Sequence, residues 1–269
     1  MPSPGPEKTL AELVDSLQKR GRYTLIRPDA MQALGISANA FRKAAQRLAR
    51  SRRLVRIRGD FHAIVPLDHF HAGITPPEWF IDDLMKHLGV RYYIGGLTAA
   101  TYHGATHQRA MVFQVVAERQ LRAVRVAGQR IQFLYKKSVA GTSTQALKVP
   151  SGYLPLSTPE ATAIDLLRYA PRVGELNHIL TVLQEMGEVI RPRMLVQAAE
   201  ADGNLAYAQR LGWLLEQTRF ANKAGLLAGW CARQAPLPAR LQPGVLTRDC
   251  PRDRRWNLWV NTTVEGDLS

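Results

Sequence analysis

Apolar and polar positions recur along this chain with periods that divide it into a short helical unit closed by two strands and a longer mixed unit. Leu10, Leu13, Val14 and Leu17 stand at helical spacing, predicting a helix from about Glu7 to Arg20 that Gly21 ends. Tyr23 to Ile26 reads as a short strand. Pro28 suits an early position of a second helix, with Met31 and Leu34 inward and Gly35 as its stop. From Ala38 to about Ser51, Phe41, Ala45 and Leu48 form one apolar stripe, and Ser37 stands where an N-cap belongs. Val55 and Ile57 then alternate with Arg56 and Arg58, which is strand periodicity. Gly59-Asp60 supplies a two-residue turn, and Phe61 to Val65 returns. Helix followed by a basic hairpin is the pattern of a winged helix-turn-helix.

The longer unit follows a connector in which Asp68, His69, His71, Gly73 and Pro76-Pro77 break any period. Glu78 to Leu88 is predicted helical. Arg91 to Ile94 is a short strand running into Gly95-Gly96, and Leu97 to His103 a short helix. Val112 to Ala117 is an apolar strand, while Val124–Val126 and Ile131–Tyr135 make a hairpin turning at Gly128. Thr158 and Pro159 open a helix with Ala163, Leu166 and Leu167 inward. Further helices are expected near 176–186, 192–201, 205–220 and 222–234, and a strand over 254–261. The expected fold class is α+β. An N-terminal winged helix-turn-helix domain (1–66) and a connector (67–77) precede a larger mixed α/β domain with a helical C-terminal half (78–269).

Charge sharpens this picture. The chain carries 36 Lys+Arg against 22 Asp+Glu, a net +14 that favours polyanionic partners. Residues 1–66 hold 13 of the bases and 5 of the acids, whereas the other 203 residues hold 23 against 17. Between Asp29 and Asp60 there are eight Lys or Arg and no acid. On the predicted third helix, Asn39, Arg42, Lys43 and Gln46 share a polar face suited to base edges, since Arg pairs bidentately with guanine and Asn or Gln with adenine. Ser37 at the helix start, Arg47, Arg50, Arg52 and Arg53, with Arg56 and Arg58 of the wing, suit phosphates and set register. Charge runs are often only solvated faces, but an acid-free run on an element ordered like a recognition helix favours double-stranded DNA. A second run, Arg119, Arg122, Arg125, Arg130, Lys136, Lys137 and Lys148, has no acid between Glu118 and Glu160. It reads equally as a second phosphate contact or a solvated strand edge.

Other chemistry is sparse. Cys231 and Cys250 have no disulfide framework around them, as in a reducing cytosol. The N-terminus lacks the apolar core of a signal peptide, and no run is long enough for a membrane span, so a cytoplasmic location and no membrane partner are expected. His62, His69 and His71 cluster without a helix to fix their spacing, and His103-Gly-Ala-Thr-His107 lacks the Glu of a zinc protease motif. Tyr93-Ile-Gly-Gly-Leu-Thr-Ala-Ala-Thr-Tyr-His-Gly104 has the strand, glycine pair and helix that open small nucleotidyltransferase domains. There the next strand carries paired acids for Mg²⁺. Here Val112–Val116 presents Gln114 and no carboxylate, and Glu118 stands without a partner. No metal, no cofactor and no catalysis are therefore expected. A nucleotidyltransferase-like or nuclease-like enzyme steered to DNA is the alternative, and a ligand-sensing regulator a third reading.

Four segments, Pro77–Met85, Tyr92–Gln108, Val112–Val116 and Ser157–Tyr169, resemble the AbiEi antitoxins of type IV toxin-antitoxin systems, and the resemblance extends over most of the chain. It implies an N-terminal winged helix that binds inverted repeats in its own promoter and represses the operon. It also implies a C-terminal domain that counters a nucleotidyltransferase toxin without forming a stable complex with it. The positions carried over are Asn39, Arg42, Lys43 and Gln46 for bases, and Arg47, Arg50, Arg56 and Arg58 for the backbone. No antitoxicity residue is carried over.

Overall fold

Helix α1 (Leu10–Lys19) starts at Thr9, whose hydroxyl accepts the Glu12 N–H while the Glu12 carboxylate accepts the Thr9 N–H, a closed capping box. The computed structural model describes residues 9–66, 69, 75–105, 112–126 and 128–265. Strand β1 (Thr24–Ile26) leads into α2 (Arg27–Leu34), which Gly35 ends in the left-handed conformation at φ 62°. Helix α3 (Ala38–Arg50) is capped by Ser37, whose Oγ accepts the Ala40 N–H at 3.2 Å. Strands β2 (Leu54–Arg58) and β3 (Phe61–Ile64) form the hairpin, with Gly59 at φ 53° in its turn. The three strands pair antiparallel in the order β1-β3-β2. This is the element order the sequence pattern leads one to expect.

Strand alternation gives that sheet two buried faces. Leu54 and Ile64 point to the helices and join Leu10, Val14, Leu25, Phe41 and Leu48 in one core. Ile57, Phe61 and Ala63 point the other way, into a second core with Phe80, Ile81, Leu84, Val124 and Phe133. Thr24 Oγ1 also donates across this junction to Asp83 Oδ2 at 2.5 Å. The helix-and-hairpin unit therefore shares a core, beneath the second face of its sheet, with the rest of the chain. A fragment ending at Pro66 would expose Ile57 and Phe61, both buried in the whole protein. It is expected to bind a hydrophobic dye and to lack a cooperative melt; a sharp, reversible melt of that fragment would contradict the shared core.

Beyond a 3₁₀ turn at Pro77–Trp79 come α4 (Ile81–His87), β4 (Tyr92–Ile94), α5 (Gly96–Tyr102), β5 (Val112–Ala117), β6 (Val124–Val126), β7 (Gln129–Tyr135), β8 (Thr144–Val149) and β9 (Gly152–Ser157). They build a six-stranded sheet ordered β6-β7-β5-β4-β9-β8, with β5 parallel to β7, β4 parallel to β9 and the other neighbours antiparallel. The β8–β9 hairpin was not expected from the sequence; Lys148, Gly152 and Pro155 obscure its strand period. Helices α6 (Pro159–Arg168), α7 (Ala170–Val173), α8 (Leu176–Met186), α9 (Pro192–Asp202), α10 (Leu205–Glu216) and α11 (Gly225–Arg233) complete the helical half. Helix α6 is the hub, with Glu160 through Leu167 all buried.

The strand expected over 254–261 is shorter than predicted. It consists of β12 (Leu258–Trp259) alone, set between β10 (Ala239–Arg240) and β11 (Arg252–Asp253). Trp256 is the reason. Its indole lies against Gly212 of α10, where any Cβ would overlap the ring, and its Nε1 donates to Glu216 Oε2 at 2.8 Å. The chain turns at Asn257, φ 49°, to let it in.

A polar network joins the sheet to these helices. Lys136 Nζ lies 3.4 Å from both Asp165 Oδ1 and Asp202 Oδ1, Arg168 Nη2 2.5 Å from Asp202 Oδ1, and the Tyr93 hydroxyl donates to Asp165 Oδ2 at 2.7 Å. Asp165 is fully buried, and that burial pushes its carboxyl up, against the pull of Lys136 and Tyr93.

Candidate nucleic-acid interface

The polar face of α3 divides into two adjoining rows. Asn39, Arg42 and Gln46 line a cleft of about 710 Å³ between the helix and the hairpin, with Arg27, Arg56 and Gly59 opposite. Phe41, Ala45 and Leu54 form its apolar floor. Arg42 Nη2 donates to Asn39 Oδ1 at 2.9 Å, which fixes the guanidinium and leaves the Asn39 amide N–H group available. Arg56 is steadied by its Nε donating to the Gly59 carbonyl at 2.8 Å. Lys43, Arg47 and Arg50 occupy the next row and are exposed, as are Ser37 at the cap and Arg52, whose φ of 53° closes the turn into β2.

Two of the arginines singled out from sequence are engaged elsewhere. Arg53 is ion-paired with Asp15 of α1. Arg58 donates to the Arg122 carbonyl and lies 5.6 Å from the centre of the Phe133 ring, so it is held at the junction with the second sheet. Burial, then the neighbouring Arg122, lower its pKa. Spacing along β2 places Arg56 and Arg58 together; the register shift between them sends them to different surroundings.

His62 forms part of the cleft floor, a role its position among three histidines does not reveal. Its Nδ1 donates to the Asp60 carbonyl at 2.9 Å and its ring meets Phe41 edge-on at 5.6 Å. Burial, with Arg56 and Arg27 nearby, lowers its pKa against the opposing pull of Asp60. The cleft therefore rests on a neutral imidazole.

The second basic run reaches the same junction, because β6 packs beside β2. Arg125 and Arg130 face each other directly across the β6–β7 hairpin, both exposed, and neither side chain makes a hydrogen bond or ion pair among the described residues. Like charges in directly opposed strand positions are destabilising.

The glycine turn that resembles a nucleotidyltransferase opening is closed. Gln114 Oε1 accepts the Leu97 N–H at 2.7 Å at the start of α5, and its Nε2 donates to Gln132 Oε1 at 3.0 Å. The Gln114 amide fills the space beside Gly96 (φ 57°), where a Cβ would overlap it. Glu118 is taken by Arg91, whose backbone N–H at 3.1 Å, and then its guanidinium at 2.6 Å, lower the carboxyl's pKa. Among the described residues no three His, Cys, Asp or Glu converge as metal ligands. His69 stacks edge-on against Trp79 at 5.2 Å, while His71 and His107 lie outside the described residues. His103 is buried, and its Nε2 donates to the Ser157 carbonyl at 2.7 Å.

Burial lowers the His103 pKa below the ordinary 6.5. A folded pKa below the unfolded one contributes stability that is present above about pH 6.5 and lost as pH falls below it. Replacing His103 with Gln is expected to flatten the loss of melting temperature between pH 7.5 and 5.5. An unchanged slope would contradict the assignment.

A basic helix-and-hairpin unit fused through a shared core to a mixed α/β domain is the class these features define. Residues 93–217 match the family model of the AbiEi antitoxin C-terminal domain. The crystal structure of the Rv2827c protein from Mycobacterium tuberculosis superposes with a TM-score of 0.65 at 14% identity, over 94% of this chain and 93% of that one. That likeness shows a common fold over nearly the whole length. No curated protein matches the sequence significantly. Among the described residues no helix is long and apolar enough to cross a membrane.

Proposed function

We propose that this chain is a transcriptional autorepressor and an antitoxin. Its N-terminal unit is a winged helix that binds operator DNA carrying inverted repeats. Its C-terminal domain counters a nucleotidyltransferase toxin without a stable complex, and the protein works in the cytoplasm. The observation that carries the DNA reading is the exposed α3 face, where Asn39, Arg42 and Gln46 meet the wing's Arg56 around one cleft with no acid in residues 30–59. A helix of 13 residues spans about 20 Å and fits a B-DNA major groove. In this reading Arg42, Asn39 and Gln46 contact base edges, while Lys43, Arg47, Arg50, Arg52 and Arg56 take phosphates. Arg58 steadies the wing against the second sheet, and Arg122, Arg125 and Arg130 continue the phosphate track beyond it.

Arg56→Ala is expected to weaken operator and scrambled DNA alike and to reduce the salt slope by about one. A loss confined to the operator would move Arg56 from the phosphates to the bases. Gln114 in place of a metal-binding acid, and its amide at the α5 N-terminus, support a protein without nucleotidyl transfer of its own. Clear Mg²⁺-dependent nucleotide transfer by the purified chain would overturn that. For the antitoxin role, co-expression with a nucleotidyltransferase toxin encoded beside it is expected to restore growth while the two proteins elute separately. Co-elution would contradict the absence of a complex.

A further inference from the structure

A third basic stretch lies at the C-terminal end of the chain. Residues 217–264 hold eight Lys or Arg against two acids, Asp249 and Asp253. The stretch includes the small sheet β10-β12-β11. In its register Arg240 stands beside Trp259 and Trp259 beside Arg252, while the alternate row is Ala239, Leu258 and Asp253. Neighbouring positions on adjacent strands share a face. Ala239 and Leu258 are buried in the core with α10, so Arg240, Trp259 and Arg252 form a row on the outer face. There both arginines are exposed and the indole is partly exposed.

The row is ordered by its neighbours. Arg252 Nε donates to Asn257 Oδ1 at 2.9 Å, and its guanidinium carbon lies 5.5 Å from the centre of the Trp259 ring. Arg210 Nε donates to the Arg240 carbonyl at 2.7 Å, which fixes the outer strand. Asp253 belongs to the other row, where its Oδ1 accepts the Trp256 N–H at 2.9 Å; Asp249 lies exposed in the loop before β11. Arg240 and Arg254 are exposed, and their side chains make no hydrogen bond or ion pair among the described residues.

Free cations beside a guanidinium stacked on an indole match one chemistry best. Single-stranded nucleic acid brings phosphates for the free arginines, and unpaired bases whose faces stack on aromatic rings and guanidinium planes. A duplex hides those faces, and an acidic peptide offers charge without them. Two inter-strand spacings put Arg240 and Arg252 about 10 Å apart at Cα, one on each side of the indole.

We infer that the outer face of β10-β12-β11 binds single-stranded nucleic acid. A base stacks on Arg252 and Trp259, while Arg240 and Arg254 take phosphates. The site shares no residue with the α3 cleft and does not depend on α3 reading duplex DNA.

Fluorescence anisotropy of the full chain with a labelled single-stranded RNA of about 12 nucleotides tests it. Saturable binding is expected, and an abasic strand of equal length is expected to compete at least tenfold less well than the unlabelled RNA. Trp259→Leu is expected to weaken the RNA by about five- to 150-fold, the usual worth of one stacked base. Arg252→Lys keeps the charge but loses the plane, and is expected to weaken it about fivefold or more. Arg240→Gln is expected to lower the salt slope by about 0.7, the share of one phosphate on a single strand. Arg252→Lys and Arg240→Gln change exposed positions and are expected to melt as wild type does, so lost binding is not lost folding. Arg42→Ala, in α3, is expected to leave RNA affinity unchanged. The proposal is overturned by the absence of saturable RNA binding, or by the abasic strand or poly-glutamate competing as well as the RNA. Wild-type affinity in both Trp259→Leu and Arg252→Lys overturns it too, as does a loss in Arg42→Ala equal to theirs.

Discussion

Lys136→Ala is expected to destabilise the chain by about 3–5 kcal/mol, the usual cost of removing one partner from a buried ion pair. Lys136 is one-tenth exposed and sits between Asp165, fully buried, and Asp202, nearly so. Removing its ammonium leaves two carboxylates facing a network whose remaining cation is Arg168, bonded to Asp202 alone. The Tyr93 hydroxyl still donates to Asp165, but a phenol does not neutralise it. Since domains are stable by only about 5–15 kcal/mol, such a loss is plain in a urea titration. Combining Lys136→Met with Asp165→Asn removes both charges and keeps an acceptor for Tyr93, and is expected to recover at least half of the loss. A Lys136→Ala midpoint close to wild type would show that the network is solvated and weak.

Arg42→Ala is expected to lower operator affinity by about 1–3 kcal/mol, roughly five- to 150-fold, with little change on scrambled DNA. The argument is geometric. Arg42 is held by Asn39 at 2.9 Å on the cleft side of α3, so its guanidinium reaches the groove already oriented. Its removal also frees Asn39 to rotate, which relaxes preference at two base positions. Lys43→Ala, one row away, is expected to weaken both DNAs equally. Unchanged operator affinity for Arg42→Ala would mean that the reading face lies elsewhere.

The N-terminal elements were legible because each carries its own local signal. Gly21, Gly35 and Ser37 mark helix ends, although the first helix starts at Leu10 behind Thr9 and not at Glu7, and the stripe of Phe41 and Leu48 fixes which side of α3 is buried. What lies beneath the hairpin was not legible. Val55 and Ile57 announce an apolar face but not that Phe80, Val124 and Phe133 cover it, and Arg58 looks like its neighbour Arg56 until the second sheet is in place. The basic run from Arg119 to Lys148 divides for the same reason. Arg125 and Arg130 face solvent across a hairpin, whereas Lys136 turns inward to acids 29 and 66 residues further along the chain. Tertiary pairing decides which charges are free, and spacing alone does not record it. In the sequence Gln114 stands only as a missing acid; that its amide caps α5 follows from the fold.

The most direct test of the DNA-binding account is the affinity of the whole chain for its own upstream DNA, measured across a salt series against a scrambled duplex of equal length. The account predicts tight, sequence-selective binding whose advantage over scrambled DNA persists at physiological salt, because base contacts survive where counterion release fades. Equal binding to both duplexes, abolished together by modest salt, would contradict it and reduce α3 and its hairpin to a basic surface.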